Sequence, residues 1–272
     1  GNRSGTTKKI RNRRKSIKMI ESTTRMVEVE QSGPVLSVRL NRPDALNAFR
    51  PEMLQELTRL MGLIEDDPEI VVVLLEGNGK AFSAGVDLKV LQGVDPQGGK
   101  VGDLFDDPAR LAYTAIRQSR CPVIAKVHGA CFTGALEMAL HCDFVLTTQS
   151  TKFGDTHAKF GLRPTWGMTQ TLSQAVGIRA AKELSYTART FLGTEAVELG
   201  IANQACEDKE TLDRVASDMA QMIADNSRTA LGAIKDLYRL SEEALSMSDA
   251  LKAELARDYP GINDTSERLS GF

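Results

Sequence analysis

The sequence predicts an α/β fold in which short buried strands alternate with amphipathic helices. A continuous apolar run, rich in β-branched residues, lies at 70–75, which suits a strand buried on both faces, and mainly apolar segments at 123–127 and 144–147 predict two more such strands. Segments with helical periodicity separate the runs, which is typical of repeated strand–helix units. At 272 residues the chain is long enough for one large domain or two small ones.

Two elements are predicted before the first buried run. Residues 26–40 alternate apolar and polar side chains around a Ser-Gly-Pro turn at 32–34, which predicts a β-hairpin. Residues 51–65 predict a helix, because proline is well tolerated in a first helical turn and apolar side chains recur along one face. The apolar side chains on that face are Leu54, Leu57, Met61 and Ile64.

From Glu207 onward the sequence predicts helices only. Amphipathic patterns cover 211–225, 228–245 and 248–256. Earlier in the chain, four glycines and prolines within 92–100 predict a flexible loop.

Charge is distributed unevenly along the chain. Residues 1–20 hold eight basic and no acidic side chains, which leaves 26 basic against 36 acidic residues in the remainder. An acidic body is a poor general binder of nucleic acid, so we expect no nucleic-acid partner. The basic segment 1–22 is interpreted as a tag remnant or disordered tail. The alternatives are a remnant of a targeting peptide, or an arm that binds RNA or membranes.

Cysteine and histidine usage argues against a metal site. The four cysteines include no C-x-x-C pair, and the three histidines lack metal-ligand spacing. Buried thiols suit a reducing compartment, so we expect a cytoplasmic protein, or one of the mitochondrial matrix in a eukaryote. No apolar run approaches the roughly 18 residues of a membrane span.

Two stretches resemble the halves of one oxyanion hole. They are AFSAGVDL at 81–88 and HGACFTGALEMAL at 128–140, and each is predicted to connect a buried strand to a helix. Backbone N–H groups at a helix N-terminus lack intrahelical partners and favour negative charge. Two such donors that converge on a carbonyl oxygen would stabilise an enolate or a tetrahedral oxyanion.

These stretches, with four further segments, resemble the crotonase superfamily, the enoyl-CoA hydratase/isomerase group. NRPDALNAF at 41–49 resembles that family's first CoA-binding loop, and CPVIAKVHG at 121–129 is similar to the strand that leads into its second oxyanion element. CDF at 142–144 and GTEAVELG at 193–200 also match in position and type.

The resemblance implies an architecture and an assembly. The fold would be a crotonase-like (ClpP/crotonase) spiral of β-β-α units. The basic tail would cover 1–22, the core domain with the CoA site and active site 23–205, and a helical region for oligomerisation 206–272. Members of the family form trimers, often paired into hexamers, so the resemblance implies a homotrimer or a dimer of trimers.

The resemblance also implies roles for individual residues. Val86 and Gly134 would supply the two oxyanion N–H groups, and glycine suits the second position because a side chain there would crowd the thioester. Asp87 is further predicted to cap the helix that follows it. The residues expected to contact substrate or CoA are Arg42, Ala45, Leu46, Ala84, Asp87 and Leu88.

One catalytic glutamate of the family is present and the other is replaced. Glu137 occupies the first position, among apolar neighbours that would raise its pKa toward a value suited to acid–base catalysis. The family's second glutamate follows 20 residues later in a segment resembling F-G-x-P-E, where this chain has FGDTH with His157. Asp155 could orient His157 or could itself be the second acid.

Reversible hydration of a 2-enoyl-CoA is the expected function, with Glu137 as base and His157 as acid or water-orienting group. CoA would enter as part of the substrate, and no metal or other cofactor is expected. Within the family the alternatives are double-bond isomerisation and acyl-CoA hydrolysis, the latter through Glu137, His157 or Ser83, which lies in a segment close to a G-x-S-x-G elbow. A non-enzymatic binder of CoA thioesters or RNA is the alternative outside enzymology.

Overall fold

The computed structural model describes residues 19–94, 96–243 and 245–263. Most of the predicted basic tail, residues 1–18, and the last nine residues of the predicted oligomerisation region lie outside the described residues. The final residues of the predicted tail are anchored to the body, because the hydroxyls of Ser22 and Thr23 donate hydrogen bonds to the Glu56 carboxylate at 3.1 and 2.8 Å.

Six strands form one sheet in the order β1-β2-β3-β4-β6-β9. The predicted hairpin is its antiparallel edge, with Val27 opposite Leu40, and all the other pairings in the sheet are parallel. A second sheet contains β5, β7 and β8. The strands are β1 Val27–Ser32, β2 Val35–Leu40, β3 Val72–Gly77, β4 Val123–Val127, β5 Ala130–Phe132, β6 Phe144–Thr148, β7 Lys152–Gly154, β8 Phe191–Leu192 and β9 Gln204–Cys206.

Helices cover both faces of the larger sheet. Helices α1 and α3 pack against each other and bury the main apolar core on one face, whereas α8 packs on the opposite face. The helices are α1 Pro51–Asp66, α2 Leu88–Gln92, α3 Asp103–Gln118, α4 Gly134–His141, α5 Met168–Val176, α6 Ile178–Thr187, α7 Gly193–Leu199, α8 Lys209–Ala224, α9 Arg228–Tyr238 and α10 Met247–Ala256.

Several predicted elements have slightly different bounds in the structure, and two of these differences have a visible cause. The run at 70–75 becomes a strand only from Val72, because the N–H of Ile70 closes a turn onto Asp67 O at 3.3 Å before pairing with β2 begins. The helix predicted over 228–245 ends at Tyr238, where the chain tightens into a 3₁₀ turn that buries Leu240.

The predicted core domain and the predicted C-terminal region pack together on the same sheet. The boundary placed between residues 205 and 206 falls inside β9, and α8 contributes Leu212, Ala216 and Ala220 to the apolar cluster on the sheet. Strands β3 and β4 are parallel neighbours, so their C-terminal ends lie at the same edge of the sheet. The two oxyanion stretches follow these strands and therefore begin at that edge.

Candidate active site

The two oxyanion stretches lie side by side. The N–H of Phe82 donates to His128 O at 2.8 Å and the N–H of Ser83 donates to Ala130 O at 3.1 Å, which joins 81–88 to 128–140 as a short parallel bridge. A Cβ placed on Gly85 would lie 2.8 Å from Phe132 O and 3.7 Å from the Gly134 nitrogen. Such a close approach needs glycine, whose φ of 101° here is also unsuited to other residues.

The amides of Val86 and Gly134 are both available at this junction. Beside Val86, the bridge to Phe49 uses the Phe49 N–H, which donates to Gly85 O, and the Asp87 N–H, which donates to Phe49 O. Gly134 is the first residue of α4, where an N–H has no intrahelical acceptor. Among the described residues neither amide has a hydrogen-bond partner, and both residues line one cavity.

Thr133 holds the turn before Gly134 in a strained conformation. Its φ of 51° and ψ of −107° are disfavoured for a β-branched residue, and such strain costs about 1–3 kcal/mol. The Thr133 N–H donates to Gly154 O at 2.8 Å, and its hydroxyl accepts from the Thr156 N–H at 3.0 Å and forms a hydrogen bond with the Thr156 hydroxyl. These contacts tie the oxyanion turn to the segment that carries His157.

The cavity has a volume of about 340 Å³ and passes from an exposed mouth to a buried wall. Leu88 and Phe160 lie at the mouth and are 50% and 53% exposed, whereas Trp166 is buried at the wall. A Cβ on Gly134 would lie 2.9 Å from the Trp166 ring, so the indole fixes the space beside the oxyanion amide. The remaining apolar residues that line the cavity are Ala84, Val86, Leu91, Val101, Phe132, Leu162 and Ala188.

Glu137 lies in this cavity on the first turn of α4 and is only 2% exposed. Its Oε1 accepts hydrogen bonds from the backbone N–H groups of Trp166 at 3.3 Å and Met168 at 3.2 Å. Burial raises the pKa of Glu137 to about 7, against the opposing effects of the His157 charge and these N–H donors. The carboxylate can therefore both accept and release a proton near neutral pH.

His157 faces Glu137 across the cavity. Its Nε2 lies 3.9 Å from Glu137 Oε2, and its Nδ1 lies 2.6 Å from Asp155 Oδ1. Burial alone would lower the pKa of His157, but the hydrogen bond to Asp155 and the charge of Glu137 outweigh it, so that this pKa is raised. Of the two roles left open for Asp155, orienting His157 is the one that its position supports, because it binds the imidazole nitrogen remote from Glu137.

The predicted CoA-binding residues form one connected loop system. The guanidinium of Arg42 donates to Ala48 O at 2.7 Å and to Asp87 Oδ2 at 3.0 Å. The Asp87 carboxylate also accepts the N–H groups of Lys89 and Val90, which confirms its predicted role as the N-cap of α2. Of the six predicted contact residues, Ala84 and Leu88 line the cavity.

The other predicted contact residues are not among those that line the cavity: Asp87 belongs to the first oxyanion stretch itself, and Arg42, Ala45 and Leu46 lie in the loop that contacts it. Leu46 is 42% exposed and its carbonyl accepts the Ala84 N–H at 2.9 Å. Ala45 ends the 3₁₀ turn before it. Asn47 is fully buried, and its side chain binds Arg42 N, Asn78 O and Ala81 O, so this residue fastens the loop to the stretch. The structure therefore assigns Asn47 an anchoring role that the motif alone did not reveal.

Two further contributors to the site escaped sequence reasoning. The indole N–H of Trp166 donates to Asp106 on α3 at 2.9 Å, and the Thr165 hydroxyl donates to the same oxygen at 2.7 Å. A tryptophan between proline and glycine residues, in a chain with one tryptophan, was the available hint. Asp106 gave no hint, because it is one of three acidic residues that begin an exposed helical pattern.

The other histidines and Ser83 lie outside the acid–base pair. His128 Nε2 lies 2.8 Å from Gly79 O, and His141 stacks on Tyr113 with Nε2 2.6 Å from Trp166 O. Ser83 is buried and its hydroxyl accepts the Gly85 N–H at 3.1 Å, with no histidine contact among the described residues. Within 19–94, 96–243 and 245–263, His, Cys, Asp and Glu side chains form no group of three that could hold a metal ion. No helix in those ranges is long and apolar enough to span a membrane.

Comparison with known proteins identifies relatives along nearly the whole chain. The family model for enoyl-CoA hydratase/isomerase matches residues 30–270. A short-chain-enoyl-CoA hydratase of Clostridium acetobutylicum is 33% identical over 81% of this chain and 80% of its own length. A peroxisomal Delta(3,5)-Delta(2,4)-dienoyl-CoA isomerase of Arabidopsis thaliana is 30% identical over 81% of this chain and 83% of its own.

A solved structure extends the match to the fold. The crystal structure of an enoyl-CoA hydratase/carnithine racemase from Magnetospirillum magneticum matches with a TM-score of 0.84 at 27% identity, covering 92% of this chain and 93% of that one. These findings confirm both the predicted resemblance and the predicted α/β crotonase-like fold. The chain belongs to the enoyl-CoA hydratase/isomerase family, a family of enzymes with the crotonase fold.

Proposed function

We propose that this protein adds water reversibly across the double bond of a 2-enoyl-CoA. The observation that carries the proposal is the separation of 3.9 Å between Glu137 Oε2 and His157 Nε2 in the cavity lined by Val86 and Gly134. One water oxygen can contact two groups at this separation, because each hydrogen bond is about 2.8 Å long. The acid–base pair would then act at C2 and C3 while the oxyanion donors bind the thioester oxygen of the same substrate.

The oxyanion donors would polarise the thioester. Hydrogen bonds from the Val86 and Gly134 amides to the thioester oxygen withdraw electrons from the conjugated system and make C3 electrophilic. As the water oxygen bonds to C3, negative charge accumulates on the thioester oxygen as an enolate. The two N–H groups stabilise that charge more than they stabilise the neutral carbonyl, so they lower the barrier.

Glu137 and His157 would move the protons. The Glu137 carboxylate takes a proton from the attacking water, and the His157 imidazolium donates a proton to C2 of the enolate. This leaves Glu137 protonated and His157 neutral, and transfer of the proton from Glu137 Oε2 to His157 Nε2 restores the starting state. The raised pKa values of both groups suit this cycle near neutral pH.

The experiment that tests the proposal follows the conjugated thioester absorbance of crotonyl-CoA and of a longer 2-enoyl-CoA. We expect wild-type protein to remove this absorbance, Glu137→Gln to abolish turnover, and His157→Ala to slow it. An inactive wild type that still binds the CoA thioester tightly would contradict the hydratase proposal.

Double-bond isomerisation is the second candidate. Among the described residues that line the cavity, Glu137 is the single carboxylate, and one acid–base group can move a proton between two carbons of an enolate. An isomerase would convert a 3-enoyl-CoA to its 2-enoyl isomer and incorporate no solvent oxygen. Release of free CoA thiol would instead identify acyl-CoA hydrolysis.

Assembly and location follow as smaller proposals. We propose a homotrimer, or a dimer of trimers, supported by large apolar side chains exposed on the C-terminal helices, and light scattering would measure the mass. The proposed reaction needs no cofactor beyond the CoA of the substrate, and a cytoplasmic or mitochondrial-matrix location stays a prediction. The exposed apolar side chains are Met222, Ile234, Tyr238, Leu251 and Leu255.

A further inference from the structure

Asp155 directs both of its carboxylate oxygens to named partners beside the acid–base pair. It lies two residues before His157 and is only 1% exposed. Its Oδ1 accepts the imidazole Nδ1–H of His157 at 2.6 Å and the backbone N–H of the same residue at 3.3 Å. Its Oδ2 accepts the hydroxyl of Ser185 at 2.7 Å. A buried carboxylate with both oxygens engaged cannot rotate freely, so the imidazole it binds is fixed as well.

Ser185 reaches this carboxylate from a different part of the fold. It lies near the end of α6, which packs beside the 3₁₀ turn formed by residues 158–160 directly after His157. Burial alone would raise the pKa of Asp155, but the hydrogen bonds from His157 and Ser185 outweigh it and lower that pKa. Asp155 therefore stays ionised while it holds the imidazole.

We propose that Ser185 is a positioning residue, which fixes the Asp155 carboxylate so that His157 keeps a proton on Nδ1 and presents Nε2 to Glu137. The catalytic consequence rests on the proposed hydration. The charged groups that face His157 are Asp155 from its own loop and Glu137 from α4, and Lys159 lies exposed on the following turn. Ser185 itself is not among the residues that line the cavity.

Loss of the Ser185 hydroxyl should disorder the Asp155–His157 pair without changing the contacts of the protein with CoA. Asp155 Oδ2 would be left buried without a donor, and the carboxylate would rotate or recruit water, so that the imidazole loses its fixed direction. We expect Ser185→Ala to lower kcat about tenfold at nearly constant KM, which corresponds to the loss of one hydrogen bond of ordinary strength. Ser185→Thr keeps the hydroxyl and should restore most of the activity.

The decisive readout is the imidazole Nδ1–H proton of His157 in NMR spectra. A proton held between imidazole and carboxylate is shifted downfield and exchanges slowly with water. We expect this resonance in wild type and in Ser185→Thr, its loss in Asp155→Asn, and its loss or exchange broadening in Ser185→Ala. Ser173→Ala is the matched control, because the Ser173 hydroxyl donates to the carbonyls of Thr169 and Gln170 in its own helix α5.

Three outcomes would overturn the proposal. They are an unchanged resonance and kcat in Ser185→Ala, an equal loss in Ser173→Ala, and a KM effect that exceeds the kcat effect. The resonance does not depend on turnover, so it tests the positioning role even if wild-type protein fails to hydrate any 2-enoyl-CoA. Failure of the hydratase proposal would be seen separately. In that case wild-type protein would show no turnover but would keep the resonance, and Ser185→Ala would still lose it.

Discussion

The proposed oxyanion half and the proposed acid–base half of the site are built from different chemical groups. The oxyanion half uses backbone N–H groups of Val86 and Gly134, which the bridge at Phe49 and the start of α4 hold in place. The acid–base half uses side chains, namely Glu137, His157 and Asp155, whose directions depend on hydrogen bonds from other segments. The first half should therefore respond to changes that add bulk, and the second to changes that remove a polar atom.

This difference also explains where the family pattern is kept and where it varies. A backbone N–H donor depends only on the conformation of the main chain, so the side chain at residue 86 is free to vary. Residue 134 has to be glycine because a side chain there would crowd the site. A proton donor needs a group with a suitable pKa, and an imidazole held by a carboxylate can replace a second glutamate. The substitution of His157 for a carboxylate thus changes the chemistry of one half and leaves the other intact.

The largest effect is expected from Glu137→Gln. The amide keeps the shape and the two backbone donors of the site but cannot accept a proton from water, so kcat should fall by about 10²–10⁴-fold. Steady-state kinetics with crotonyl-CoA measure the loss, and binding of the CoA thioester should be retained. Activity within a few-fold of wild type, about 1 kcal/mol in barrier, would remove Glu137 from the mechanism.

Gly134→Ala tests the oxyanion half. A Cβ there would lie 2.9 Å from the Trp166 ring, so the turn must shift and misplace the N–H donor, at a cost of about 10²–10³-fold in kcat. Gly62→Ala is the matched control, because a Cβ at this exposed position in α1 meets nothing within 4 Å. If both variants had the same kcat, the claim that an added side chain disrupts the oxyanion half would be wrong.

Val86→Ala should lower kcat less than Gly134→Ala does, since only the Val86 backbone is used.

The pH profile of kcat/KM tests the acid–base half. Glu137 must be ionised to act as base, so activity should fall as pH drops through about 7. His157 must be protonated to act as acid, and its pKa is raised, so activity should fall again at pH values above that raised pKa. His157→Gln should remove the alkaline fall and lower kcat/KM by about 10²-fold. If His157→Gln kept the fall in activity at alkaline pH, that fall would have to come from the titration of another group.

The smallest effect is expected at Asp87, one of the predicted CoA-binding residues. Asp87→Ala removes the N-cap of α2 and the partner of Arg42, which should destabilise the fold by about 1 kcal/mol and raise KM for the CoA thioester. Asp208→Ala removes a cap from α8 away from the cavity and should leave KM unchanged. Urea unfolding and steady-state kinetics on both variants separate loss of stability from loss of binding, and a KM increase in both would refute the local role.

The sequence predicts five of the nine described strands, namely the hairpin β1–β2 and the apolar segments of β3, β4 and β6, because their patterns are local. The strands β5, β7, β8 and β9 are only two or three residues long and show no such pattern. The sequence also points, through the family resemblance, to Val86 and Gly134 as the oxyanion donors, and this role stays a prediction. Sequence reasoning could not predict the contacts of Trp166 with Asp106 or of Ser185 with Asp155, since these join residues about 60 and 30 positions apart through tertiary packing. The bounds of α9 were missed because amphipathic periodicity continues past the point where Leu240 enters the core.

The most direct test of the central claim is the fate of solvent oxygen. Wild-type protein is incubated with crotonyl-CoA in water enriched in oxygen-18, and the product is analysed by mass spectrometry. Hydration through Glu137 and His157 predicts one labelled oxygen on C3 of a 3-hydroxyacyl-CoA, with the label nearly absent in Glu137→Gln. A wild type that binds the thioester and shifts its double bond, or releases free CoA, without labelling C3 would contradict the account.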